Sequence, residues 1–180
     1  IYLSQASNYF RFESLTTGSI QSHSQITSGT STGNIQVVNS DVGAVSAFSG
    51  THDWLVENND ITQCTDQCVE FNTSDSYMPS QHNVIRGNKF VGPNAEDMIR
   101  IGNFRDILIE GNQFIDNFEH SVPVTQSSDK TCHCDVLQGI WSGSDLVIRG
   151  NSITNGTGQG FFIKDARDPR TGIVGPHGLG

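Results

Sequence analysis

His133, Asp135 and Gln138 fall close together in the segment His133-Cys134-Asp135-Val136-Leu137-Gln138. An imidazole exchanges its proton near neutral pH and serves as a general acid or base. Lysine is scarce, with Lys89, Lys130 and Lys164 the only three, and Lys164 is followed at once by Asp165. A Lys or Arg beside carboxylates can take a proton from a carbon next to a substrate carboxylate while a second cation neutralises that carboxylate. His133, Lys164 and Arg100 are therefore the candidate catalytic groups. Gln138, Glu70 and Asp165 are the candidate substrate-binding groups. Plainer readings stand beside these: His133 capping a turn, Lys164 simply exposed, and Glu70 with Arg100 a solvated charge pair worth little.

Asp97 and Asp135 are the candidate metal ligands, with Glu70 and Glu96 as further carboxylates nearby. Calcium takes several oxygen ligands, and Glu96-Asp97 and Asp135 belong to adjacent repeats. No Asp-rich calcium loop is present. Cys64-x3-Cys68 and Cys132-x-Cys134 lack the usual zinc spacing. An even cysteine count suits disulfides in an oxidising compartment, so at least one bridge is expected. No Walker loop, nucleophile elbow or dinucleotide fingerprint occurs.

A recurring unit must position these groups. It reads apolar, charged, Gly or Asn, Asn, polar, apolar: Val56-Glu57-Asn58-Asn59-Asp60-Ile61, Ile85-Arg86-Gly87-Asn88-Lys89-Phe90, Ile109-Glu110-Gly111-Asn112-Gln113-Phe114 and Ile148-Arg149-Gly150-Asn151-Ser152-Ile153. An earlier copy, Val37 to Val42, carries Ser40 at the Asn position. A repeat this short is one strand-turn unit placed against copies of itself. Asn tolerates the left-handed backbone of a tight turn, and Gly before it relieves the same steric limit. Identical Asn side chains in neighbouring copies can bond as a ladder. Asn59, Asn88, Asn112 and Asn151 are thus expected in one turn column, as structural residues.

Between the motifs lies a second strand set: Cys68 to Phe71, Met98 to Ile101, Val136 to Gly139 and Phe161 to Lys164. Registered on one another, they send Val69, Ile99, Leu137 and Phe161 inward, and Phe71, Ile101, Gly139 and Ile163 likewise. The outward column between is Glu70, Arg100, Gln138 and Phe162. Parallel neighbours lie about 4.8 Å apart, so an elongated ligand along this face would meet these residues in turn.

This organisation, over roughly residues 35 to 165, resembles the right-handed parallel β-helix of pectate lyases, other polysaccharide lyases, some alginate epimerases, rhamnogalacturonases and phage tailspikes. The resemblance implies an all-β solenoid. One domain is expected over 1–180, with an inserted loop around 116–134. The His-x-Asp-x-x-Gln segment, followed by Gly158-Gln159-Gly160-Phe161-Phe162-Ile163, is similar to a pattern in secreted bacterial β-helix proteins. Cys134 is not something that pattern asks for. The resemblance implies an extracellular protein that cleaves acidic, uronate-containing polysaccharide by β-elimination, with Ca²⁺ as the cofactor to expect. A non-catalytic binding or adhesive module, a hydrolase using carboxylates such as Asp97 and Asp135, and an epimerase are the alternatives. The Asp-Pro-His signature of the epimerases is missing, Asp168-Pro169-Arg170 being its nearest approach.

Composition sets the outer bounds. The chain has 180 residues, 34% hydrophobic, with a formal charge of -9. That balance opposes nucleic-acid binding, which needs a basic footprint. No apolar run of about 18 residues is present, so no membrane-spanning helix is expected. The chain opens on Ile1 with no signal peptide, as a mature form or a piece of a longer protein would. A monomer is expected.

Overall fold

A computed structural model describes residues 1–3, 7–22, 32–48, 50–62, 64, 67–72, 79–92, 97–117, 135–156 and 160–163. Among them are fifteen strands and no helix. The first five are β1 (Tyr2–Leu3), β2 (Asn8–Glu13), β3 (Thr16–Ser22), β4 (Gly33–Val38) and β5 (Asp41–Phe48). Next come β6 (Leu55–Glu57), β7 (Asp60–Thr62), β8 (Val69–Asn72), β9 (Ser80–Arg86) and β10 (Lys89–Val91). The last five are β11 (Ile99–Glu110), β12 (Gln113–Ile115), β13 (Leu137–Arg149), β14 (Ser152–Thr154) and β15 (Phe161–Ile163). The described strands pair only in parallel, in one large sheet.

The register follows the sequence repeat. Val37, Val56, Ile85, Ile109 and Ile148 are successive partners. So are Val42, Ile61, Phe90, Phe114 and Ile153. Except for Ile148 and Ile153, these side chains are fully buried. Phe90 and Phe114 stack with ring centroids 4.9 Å apart. A parallel sheet brings equivalent residues of successive repeats side by side, so one apolar position per repeat becomes a continuous core stripe. Each such side chain contributes about 1.5–3 kcal/mol by leaving water. Trp54 packs edge-on to Phe71, and its indole nitrogen donates to the Thr32 carbonyl at 3.1 Å.

Asn59, Asn88, Asn112 and Asn151 form one column. In each pair the side-chain amide and the backbone amide of the earlier Asn both donate to Oδ1 of the next, at 2.9–3.0 Å. The Ser40 backbone N–H donates to Asn59 Oδ1 at 3.0 Å, so the earlier copy joins the ladder. The left-handed turn conformation belongs to the residue before the ladder: Asn39, Asn58, Gly87, Gly111 and Gly150 have positive φ, and the ladder asparagines do not. The turn therefore divides its tasks. One residue turns the chain, and the next satisfies the buried backbone groups at the turn.

A second left-handed column was not expected. Asn34, Asp53, His82, Asp106 and Asp145 all have positive φ and sit where the paired registers skip a residue. His82 lies between Asp53 and Asp106, with ring nitrogens 3.7 and 4.0 Å from their carboxylates. In β11 and β13 the register itself shifts elsewhere, between Gly102 and Phe104. Asn and Asp lead this column because they tolerate the left-handed region better than most side chains.

Cys64 and Cys68 form a disulfide, as the cysteine count suggested. Cys132 and Cys134 lie outside the described residues. On the outer face Arg86 donates to Glu57 at 2.6 Å and Arg149 to Glu110 at 2.7 Å. Toward the end of the pairing order, Ile153, Phe161 and Ile163 are exposed although they continue inward columns. No helix among the described residues is long and apolar enough to cross a membrane.

Candidate functional site

The expected outward column is present. Arg100 is the register partner of Glu70 on one side and of Gln138 on the other. Gln138 continues to Phe162. In the other direction Glu70 pairs with Ser46, and Ser46 with Gln21. The flanking positions point into the core: Val69, Ile99 and Leu137 on one side, Phe71 and Ile101 on the other, all fully buried. Strict alternation along each strand therefore presents Gln21, Ser46, Glu70, Arg100 and Gln138 on the outer face. Glu70 and Ser46 are each 7% exposed, while Arg100 and Gln138 are half-buried. The column is recessed rather than fully solvated.

The recess has a cause in the backbone. Asp41 and Val42 of β5 pair with β7, whereas Val45 to Phe48 pair with β8. Gly43 sits at this change of partner, opposite Gly18 of β3. A Cβ on Gly43 would run into the Gly18 carbonyl oxygen. Only glycine lets the two backbones approach so closely. Over this bend lies a cavity of about 550 Å³, lined by Thr16, Gln21, Asp41, Ser46, Thr62 and Glu70 among others. Its wall combines hydroxyls, amides and carboxylates with Ala44, Phe48 and Cys64. Glu70, Ser46 and Gln21 belong to both the cavity and the outward column, so groove and column are one surface.

Asp97 and Asp135 are brought together. The Asp135 backbone N–H donates to Asp97 Oδ1 at 3.1 Å, and both residues are 1% exposed. The Asp97 carbonyl accepts from Cys68 N–H, and the Asp135 carbonyl from Met98 N–H. Their placement matches that of the Asn ladder: buried polar side chains at a turn, tying one repeat to the next. Calcium takes about six to eight oxygens. No group of three or more metal-ligating side chains is assembled among the described residues. One oxygen of Asp97 already serves the Asp135 amide.

His133, Lys164 and Asp165 lie outside the described residues. The described strands nonetheless fix where their neighbours stand: Asp135 enters β13, which carries Gln138, and Ile163 ends β15. Thr16, Asp41 and Ser46 were not singled out by sequence. The available signal was Gly18 and Gly43, each an isolated glycine in a strand pattern, which marks a bulge or a close backbone approach.

No protein-family model, curated protein or solved structure matches this chain.

Proposed function

We propose that the chain is a right-handed parallel β-helix of the pectate-lyase-like kind and that its outward column is a polysaccharide-binding face. The observation that carries this reading is the continuity of Gln21, Ser46, Glu70, Arg100 and Gln138 with the polar groove over Gly18 and Gly43. A recessed line of hydrogen-bonding side chains, spaced one strand apart, suits an extended, hydroxyl-rich chain better than a compact ligand. Arg100 supplies a cation with a planar array of five donors, suited to a sugar carboxylate.

The chemistry we assign to this face is β-elimination. Arg100 holds the uronate carboxylate, and Lys164 or His133 removes the C5 proton and returns one to the leaving oxygen. Gln138, Glu70 and Asp165 orient the sugar. Asp97 and Asp135 would hold Ca²⁺, which supplies positive charge against the same carboxylate. Such a protein acts outside the cell, and the Cys64–Cys68 bridge is consistent with an oxidising compartment. A non-catalytic binding module is the second reading, because the burial of Asp97 and Asp135 suits a structural task as well as a ligand task.

Ultraviolet absorbance and reducing-end assays on a set of uronate polymers test the assignment. A lyase produces both signals, and a hydrolase produces reducing ends alone. His133→Ala and Lys164→Ala should each lower turnover about 10²-fold or more without unfolding the chain. Full activity in both variants would move the site. A wild-type protein that binds polymer and cleaves none would establish the binding module.

A further inference from the structure

Neighbouring stretches of the outward column offer a ligand opposite chemistry. Arg100 stands at its middle, between Glu70 and Gln138. On the Glu70 side, the groove is lined by Asp41 and Glu70 together with Thr16, Gln21, Ser46 and Thr62 among others, and no Lys or Arg is among its described lining residues. An ionised carboxylate accepts hydrogen bonds and donates none. A sugar hydroxyl donates to it readily. A uronate carboxylate brings no donor and a like charge, which an opposing carboxylate disfavours. Threonine, serine and glutamine side chains donate and accept, so they serve hydroxyl and ring oxygens alike.

The groove and Arg100 are close. Glu70 and Arg100 are register partners, and Ser46 is the partner of Glu70. At about 4.8 Å per strand, consecutive units of one saccharide chain span the distance from groove to Arg100. The groove volume, about 550 Å³, falls within the range of sites that enclose a small ligand, about 300–1,000 Å³.

Resting on the reading of this column as a polysaccharide face, we propose that the ligand is a heteropolysaccharide: a uronate unit sits at Arg100, and a hydroxyl-rich unit without a carboxylate fills the groove over Ser46. The groove thus selects against polymers built of uronate alone. Asp41 is the residue that makes the selection adjustable, because it is exposed, it lines the groove, and its register partner Asp60 is also acidic.

Calorimetric titration of the full chain with three oligosaccharides of equal length tests this: all-uronate, all-neutral hexose, and alternating uronate and hexose. The alternating oligomer should bind at least tenfold more tightly than either other. Asp41→Lys should raise all-uronate affinity at least tenfold, and Arg100→Gln should lower the alternating oligomer to the neutral one's level. Circular dichroism of both variants should match the wild type. All-uronate binding as tight as alternating, or unchanged by Asp41→Lys in a folded variant, would overturn the selection while leaving the polysaccharide face intact. Binding to none of the three would overturn the polysaccharide face itself, and the selection with it.

Discussion

Asn88 spends its whole hydrogen-bonding capacity on its neighbours in the column: its backbone and side-chain amides both donate to Asn112 Oδ1 at 3.0 Å. Its own Oδ1 takes two donors from Asn59, and its amide also donates to the Val56 carbonyl at 2.9 Å. The residue is 1% exposed. Asn88→Ala strands the two Asn59 donors and takes the side-chain donor from the Val56 carbonyl in a place water does not reach, while Asn112 Oδ1 keeps the backbone N–H of residue 88. Each stranded group costs about 1–3 kcal/mol, so a loss of about 3 kcal/mol or more is expected in urea unfolding. A loss below about 1 kcal/mol would show that the ladder is incidental to stability.

Gly87 and Gly111 share φ near +64° but differ in their surroundings. At Gly87 an added Cβ runs into Asn58 Oδ1; at Gly111 it meets nothing within 4 Å. Gly111→Ala should therefore cost only the left-handed penalty, about 1–2 kcal/mol. Gly87→Ala should cost about the same, because Asn58 is exposed and its side-chain amide can swing aside. Gly111→Asn should fall below both alanine variants, because Asn39 and Asn58 already hold this conformation in the same column. A clearly larger loss at Gly87 in thermal unfolding would show that the Asn58 side chain is held in place and would contradict this expectation.

His82 has φ of 55° and lies between Asp53 and Asp106 on an exposed face. Exposed ion pairs contribute about 1 kcal/mol at most. Backbone conformation therefore outweighs charge at this position. His82→Val, β-branched in the left-handed region, should destabilise by about 2 kcal/mol or more. His82→Gly should lie within about 1 kcal/mol of wild type. The reverse order in thermal unfolding would show that the carboxylate contacts dominate.

Asp97 separates a structural from a metal-binding task. Asn keeps an Oδ1 acceptor for the Asp135 amide, and Ala does not. If the bond is the residue's task, Asp97→Asn stays within about 1 kcal/mol of wild type and Asp97→Ala loses about 1–3 kcal/mol. If Asp97 holds Ca²⁺, wild type gains thermal stability on adding the ion, and Asp97→Asn loses that gain.

The repeat was legible because one residue per turn repeats its chemistry. Val69, Ile99 and Leu137 occupy the inward column assigned to them, and Glu70, Arg100 and Gln138 the outward one. A parallel register makes sequence alignment equal to spatial adjacency, so aligning the motifs aligned the strands. The left-handed column through Asp53, His82, Asp106 and Asp145 was hidden, because different residue types fill it and only the backbone is shared. The groove was hidden for another reason. It arises where β5 changes partners at Gly43, a relation between strands that no local pattern carries. His133 stood out by residue type and by the His-x-Asp-x-x-Gln resemblance, and Lys164 by scarcity at the end of the second strand set; both lie outside the described residues.

The most direct measurement is the affinity of a uronate-containing polysaccharide for the wild-type chain and for Arg100→Ala, at fixed ionic strength and with circular dichroism confirming the fold of both. Arg100 stands at the middle of the outward column, between Glu70 and Gln138. Loss of a charge-assisted pair to a sugar carboxylate, about 1.5–3 kcal/mol, predicts a fall of about tenfold or more. Equal affinity in the two folded proteins would contradict the account and place the ligand on another face.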